Sequence, residues 1–181
     1  MFSLRAKLQN RILSYFFLNE EKHTYINELA RLIESDPKNV YRTLVRLEGE
    51  GILTSEFKGK QRYFFCQRSN PLYRSYREVF LKTAGLEASL KDRLRKIAGL
   101  KEAFLFGSYA KKKFGPKSDI DVLLVGEHDP LEAEKILFRI QKESGREINA
   151  VHMKTGEPEE RKKRGDQLVK SIFSGKVIKL L

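Results

Sequence analysis

Two short stretches constrain this chain more than anything else in it: Phe104-Leu105-Phe106-Gly107-Ser108, and Asp119-Ile120-Asp121-Val122-Leu123-Leu124-Val125. An apolar run leads into a small Gly-Ser turn, and two carboxylates then alternate with apolar residues. Side chains at i and i+2 of a β-strand share a face, so Asp119 and Asp121 are expected side by side, with Ile120 and Val122 on the opposite face. Two adjacent carboxylates repel each other and are costly unless a cation sits between them. Mg²⁺ prefers one or two carboxylates plus substrate phosphate oxygens. The Gly-Ser turn leaves backbone N–H groups open to an anion, and a helix beginning there adds its positive end. A phosphate cradle beside a divalent-metal site points to nucleotide chemistry.

The full stretch FGSYAKKKFGPKSDIDVLLV resembles the motif of the nucleotidyltransferase superfamily that includes DNA polymerase beta, and especially its minimal members. Their pattern is an apolar strand, Gly-Ser or Gly-Gly, a variable loop, then Asp-x-Asp on the next strand. Ser118 before Asp119 fits as well, and the resemblance covers roughly residues 97–181. It implies that Gly107 and Ser108 hold the triphosphate, that Asp119 and Asp121 bind Mg²⁺ (or Mn²⁺), and that a third carboxylate comes from a neighbouring strand. The matching strand here is Glu147-Ile148-Asn149. Asn149 falls where an aspartate is expected; Glu147, two residues earlier on the same face, is the remaining acidic candidate. Lys113, Lys117 and Ser118 are further candidates for triphosphate contact, and the nearby lysines are otherwise a solvated surface.

Composition narrows the setting. No apolar run approaches the roughly 18–20 residues of a membrane helix, and no signal peptide is visible, so a cytoplasmic protein without a membrane partner is expected. The single Cys66 excludes an internal disulfide and a cysteine-rich zinc site. His23, His128 and His152 show no metal-ligand spacing. The net charge of +12 favours polyanionic partners. That excess is spread evenly, with 12 basic and 8 acidic residues over 1–70, 7 and 3 over 71–100, and 17 and 13 over 101–181. Bulk charge therefore does not say which end meets nucleic acid.

The first seventy residues read as helices over about 4–18, from Thr24 (as N-cap) to Ile33, and from Asp36-Pro37 to Gly49–Gly51. Asp36 is a good N-cap and Pro37 suits the first helical position. Two β-like runs, Ile52–Phe57 and Arg62–Cys66, then join as a hairpin across Lys58-Gly59-Lys60-Gln61. Three helices and a basic-tipped hairpin resemble the winged helix-turn-helix of bacterial and archaeal transcription regulators. In that motif the third helix enters the major groove. The resemblance makes Lys38, Asn39, Tyr41, Arg42 and Arg46 the outward candidates on this helix, with Lys58, Lys60 and Arg62 on the wing. Arg and Asn can read base edges, while Lys and Tyr can hold phosphates. The plainer alternative is a solvated polar face on a structural module.

Asn70-Pro71 ends the wing, and residues 72–96 read as one bent helix or two, interrupted at Gly85. This connector is either a linker or a dimerisation helix; palindromic DNA recognition usually needs two winged helices. Strands over 101–106, 119–125 and 146–153, helices over 130–144 and 166–174, and a closing strand or tail over 176–181 complete the chain. The expectation is an α/β (α+β) protein: a winged helix-turn-helix over 1–70, a helical connector over 71–98, and a nucleotidyltransferase-like mixed sheet with helices over 99–181. The leading functional reading is a DNA-binding transcription regulator, a homodimer on double-stranded DNA, whose second domain binds a nucleoside triphosphate and transfers a nucleotide monophosphate if active. The alternatives are a regulator whose inactive transferase fold serves ligand sensing or dimerisation, and an antitoxin-like nucleotidyltransferase working with a helical partner protein.

Overall fold

The computed structural model describes residues 7–111 and 113–181; the expected start of the first helix at residues 4–6 lies outside them. The chain divides into two compact units. One holds the described residues through Ala88 together with Lys142–Gly145, and the other holds Ser89–Gln141 and Arg146–Leu181.

The first unit runs α1 (Lys7–Leu18), β1 (Thr24–Tyr25), α2 (Ile26–Leu32), α3 (Pro37–Gly49), β2 (Leu53–Lys58), β3 (Gln61–Cys66) and α4 (Tyr73–Thr83). Ile12, Leu13, Phe16 and Phe17 are fully buried on α1, at the spacing that puts one helix face into a core. Leu29 and Ile33, then Val40, Leu44 and Leu47 on α3, complete that core with Leu53 and Phe64. Asp36 caps α3: its Oδ1 accepts from the backbone N–H of Lys38 at 3.0 Å and of Asn39 at 3.1 Å, with Pro37 opening the helix. β2 and β3 form an antiparallel hairpin from Leu53↔Cys66 to Lys58↔Gln61, turned at Gly59 with φ +62°. β1 lies on the other side of β3, giving the order β1-β3-β2.

Two sequence expectations change here. Thr24 does not cap α2; Tyr25 holds that position, without a side-chain bond. Thr24 is instead buried in β1, where its hydroxyl meets the Tyr15 hydroxyl at 3.1 Å. A buried hydroxyl needs a partner, and this tertiary contact satisfies it. The connector breaks at Gly85 into α4 and α5 (Leu86–Leu94), the two-helix alternative. A Cβ at Gly85 would come within 2.8 Å of the Leu81 Cα, so the chain turns tightly there.

The chain continues with β4 (Leu100–Phe106), α6 (Gly107–Ala110), β5 (Ile120–Gly126), α7 (Pro130–Ser144, counted with the second unit through Gln141), β6 (Ile148–Met153), α8 (Glu157–Lys163), α9 (Gln167–Ser174) and β7 (Ile178–Lys179). Its four strands lie in the order β6-β5-β4-β7. β5 and β6 are parallel, and β4 is antiparallel to both β5 and β7. The sheet is therefore mixed, and the whole chain is an α/β assembly of helices with one antiparallel and one mixed sheet. β5 is buried along almost its whole length after Asp121, as a strand covered on both faces must be. Leu123, Val125, Met153, Val169 and Ile172 form a core cluster edged by Phe104, Phe106 and Phe173. Asp166 starts α9 by accepting from Val169 N–H at 3.0 Å. Helix α8, not expected from the sequence although Pro158 and an acidic first turn mark its start, follows Gly156 at φ +80°. Among the described residues, no helix is long and apolar enough to cross a membrane.

Candidate functional site

Antiparallel pairing sets Phe106 opposite Asp121, so the end of β4 and the start of β5 bring the Gly-Ser turn against the carboxylate pair. Gly107 has φ +67°, and a Cβ built on it would lie 2.0 Å from Asp121 Oδ2. Both facts require glycine: the backbone is left-handed, and the space a side chain would fill is taken by the carboxylate. Ser108 follows inside α6, whose first-turn N–H groups have no partner within the helix. Asp119 is exposed just before β5, and Asp121 is half-buried on it. Burial first, and the neighbouring charge of Asp119 second, push the Asp121 carboxyl above its ordinary range; a hydrogen bond from Asn149 works the other way.

The parallel pairing of β5 and β6 sets which residue of β6 lies beside Asp121. Asp121 is registered with Asn149, not with Glu147. The Asn149 amide donates from Nδ2 to Asp119 Oδ2 at 3.4 Å, so its N–H supplies some of the positive potential that the carboxylates lack. Glu147 is exposed at the foot of β6, and its carbonyl accepts from Ile120 N–H at 2.9 Å. Among the described residues, no three His, Cys, Asp or Glu side chains gather closely enough to hold a metal ion. The donor set is two carboxylates and an amide. It suits one hard divalent cation, whose charge would offset the repulsion between Asp119 and Asp121; it carries less negative charge than two such ions require.

The loop between the turn and the carboxylates is folded on itself. Lys113 N–H bonds the Ser108 carbonyl at 3.0 Å, and Ser118 N–H bonds the Gly115 carbonyl at 3.1 Å. Ser118 Oγ accepts from Gly115 N–H at 3.0 Å, so its hydroxyl oxygen serves the loop itself. The side chains of Lys113 and Lys117 are exposed. Sequence reasoning passed over Arg146, which is buried beneath this loop and bonds the carbonyls of Pro116 and Ser118. Only its spatial neighbours reveal it; nothing local in sequence marks it.

In the first unit, Lys38, Asn39, Tyr41 and Arg42 are all exposed on α3. Lys38, Tyr41, Arg42 and Val45 fall at i, i+3, i+4 and i+7, one outward stripe, with Val45 an apolar member that sequence reasoning omitted. The other basic candidates are engaged elsewhere. Arg46 donates to Gln9 Oε1 at 2.6 Å. Arg62 donates to Glu48 at 2.6 Å and Ser55 at 2.9 Å, with its guanidinium 5.0 Å from the Phe64 ring centre. Lys58 pairs with Glu56 at 2.9 Å, and that bond, with one from His23, lowers the Glu56 carboxyl below its usual range. Lys60 remains exposed at the hairpin turn beside the exposed Phe57.

The sequence profile of the nucleotidyltransferase domain matches residues 87–179. No curated protein matches the chain. Similar solved structures include a toxin–antitoxin with AMP-PNP, at 19% identity over 52% of this chain and 72% of that one, with a TM-score of 0.39. A mutant of the MntA–HpeT toxin–antitoxin matches at 15% identity over 53% and 73%, with a TM-score of 0.40. A tri-AMPylated HEPN toxin from Shewanella oneidensis in complex with MNT antitoxin matches at 15% identity over 53% and 72%, with a TM-score of 0.32.

Proposed function

The chain belongs to the nucleotidyltransferase domain family, and we propose that its second unit binds a nucleoside triphosphate with one divalent cation while its first unit binds double-stranded DNA. The observation that carries the nucleotide reading is the Asp121 carboxylate lodged against Gly107, beside Asp119. Gly107 and Ser108 present backbone N–H groups to the phosphates, with the exposed Lys113 and Lys117 of the adjoining loop as further contacts. Asp119 and Asp121 would hold Mg²⁺ or Mn²⁺, and Asn149, whose Nδ2 now donates to Asp119, would turn its amide to offer the oxygen. The cation would supply charge neutralisation for the polyphosphate. In the transferase version an acceptor hydroxyl oxygen bonds the α-phosphorus, the bond to the bridging oxygen breaks, pyrophosphate leaves and the hydroxyl proton passes to solvent. Having Asn149 rather than an acid opposite Asp121 favours binding over rapid transfer, which supports a sensing role.

The first unit supports a winged helix reading through three helices, a hairpin with an exposed tip, and the α3 stripe of Lys38, Tyr41, Arg42 and Val45. A homodimer on palindromic DNA follows from that reading. A second reading, an antitoxin-like enzyme acting on a helical partner protein, is favoured by one feature. Leu131 and Phe138, seven residues apart on α7, are 70% and 64% exposed, and large apolar groups left in water often mark a protein contact.

Incubation with α-labelled ATP, GTP, CTP and UTP, Mg²⁺, and either nucleic acid or protein acceptors separates the readings. Label on protein supports the antitoxin-like enzyme, and nucleotide binding without transfer supports the sensor. Transfer that survives Asp121→Ala sinks the proposed site. Gel shifts with DNA from upstream of the gene test the first unit.

A further inference from the structure

We propose that Arg146 is a positioning residue for the nucleotide and metal site: it locks the loop over residues 114–118 so that Asp119 stands beside Asp121. The inference rests on the reading that this site takes nucleotide and metal. Arg146 is only 8% exposed, although it carries a full charge. A charge so placed is costly unless it is partnered. Its Nη1 donates to the Pro116 carbonyl and, at 3.5 Å, to the Ser118 carbonyl. Its guanidinium carbon stands 4.9 Å from the Phe114 ring centre. Phe114 in turn packs edge-on against Tyr109 at 5.4 Å. Tyr109 belongs to α6, the helix that begins at Gly107.

One side chain thus ties together both arms of the site. Through Phe114 and Tyr109 it reaches the helix that starts at the Gly-Ser turn. Through the Ser118 carbonyl it holds the peptide plane that leads directly into Asp119. The loop's own bonds, between Gly115 and Ser118, close a small turn but do not anchor it to the sheet. Arg146 supplies that anchor from the foot of β6, next to the strand that carries Asn149. Arg146 meets the two carbonyls through Nη1 while its guanidinium lies over the Phe114 ring; a lysine ammonium keeps the charge and donors but loses the flat, weakly hydrated group that suits a ring face.

The test uses the full chain with Arg146→Met, Arg146→Lys and Phe114→Leu. Hydrogen exchange is followed over residues 113–119, and Mn²⁺ binding by electron paramagnetic resonance. In Arg146→Met, exchange of the loop amides should rise at least about tenfold while β4 and β5 stay protected. Mn²⁺ affinity should fall on the order of 10–100-fold, the usual cost of losing a group that orients a metal ligand, with Arg146→Lys recovering part of it. If Arg146→Met does not fold, Arg146→Lys and Phe114→Leu carry the test, each with faster loop exchange and weaker Mn²⁺ binding than the parent. A variant set with parental loop exchange, or with lower thermal stability but parental Mn²⁺ affinity, overturns the positioning role. Parental protein that binds neither Mn²⁺ nor MgATP overturns the nucleotide reading and this inference with it. Binding that survives Arg146→Met overturns the inference alone.

Discussion

At the scale of single residues, Gly107 is the strictest requirement in the second unit. Replacing it with alanine forces a side chain onto a left-handed backbone and into Asp121 Oδ2. The backbone term alone is about 1–2 kcal/mol. Gly107→Ala should therefore lower the denaturant midpoint and abolish MgATP binding; a variant with parental values of both contradicts the geometry. Asn149 is the complementary case. Asn149→Asp would set a third carboxylate in register with Asp121. It should tighten Mn²⁺ binding severalfold and lower the melting temperature of the metal-free protein, because three carboxylates repel more than two. Calorimetry with and without Mn²⁺ reads both effects. The glycine turn at Gly107 and the strand that carries Asp121 were legible in the sequence because a turn and an alternating strand are local patterns. The choice between Glu147 and Asn149 was not legible, since it depends on the register between two strands. Arg146 was not legible either, because its partners lie about thirty residues away across the loop.

At the scale of elements, α3 and β5 carry the separable consequences. Helix α3 was readable from its cap and its periodicity, but its free charges were not. Arg46 looks outward on a helical wheel, yet its guanidinium reaches Gln9, and Arg62 is bound to Glu48. Lys38→Ala with Arg42→Ala should weaken DNA binding and make the salt slope shallower by about two. Arg62→Ala should mainly lower stability. The reverse outcome in filter binding and thermal melts would reassign the interface.

His128, just after β5, offers a pH test in the second unit. Its Nε2 meets His152 Nδ1 at 2.9 Å, and His152 Nε2 meets Glu134 at 3.0 Å. Burial, and then the His152 neighbour, hold the His128 pKa below its ordinary 6.5; Asp129 and Glu127 oppose this more weakly. The unfolded chain therefore binds the proton more readily. Stability should be full above about pH 6.5 and fall as pH drops through the lowered folded value. His128→Gln should flatten the fall in melting temperature between pH 7 and pH 5 relative to the parent, and an unaltered slope would contradict this origin.

At the scale of the whole molecule, the chain divides into two compact units. The net charge of +12 is spread evenly along the sequence, so composition alone does not favour either unit as a contact for the proposed nucleic-acid partner. The fold was legible to the extent that each unit rests on local signals: a capped helix before a hairpin, and a glycine turn before an acidic strand. The two-residue β1 was not, because it exists only by pairing with the distant β3. Cys66 is buried, bonds the Phe16 carbonyl, and has its thiol pushed up to about 11, chiefly by burial. It belongs to packing and not to reactivity. The central claim is that Asp119 and Asp121, held against Gly107, form a metal-dependent nucleotide site. Isothermal titration of the full chain with each nucleoside triphosphate, with Mg²⁺ and with EDTA, tests it most directly. Saturable binding that requires Mg²⁺ and disappears in Asp121→Ala is the expected result. No binding at millimolar nucleotide, or binding indifferent to both Mg²⁺ and Asp121, would contradict it.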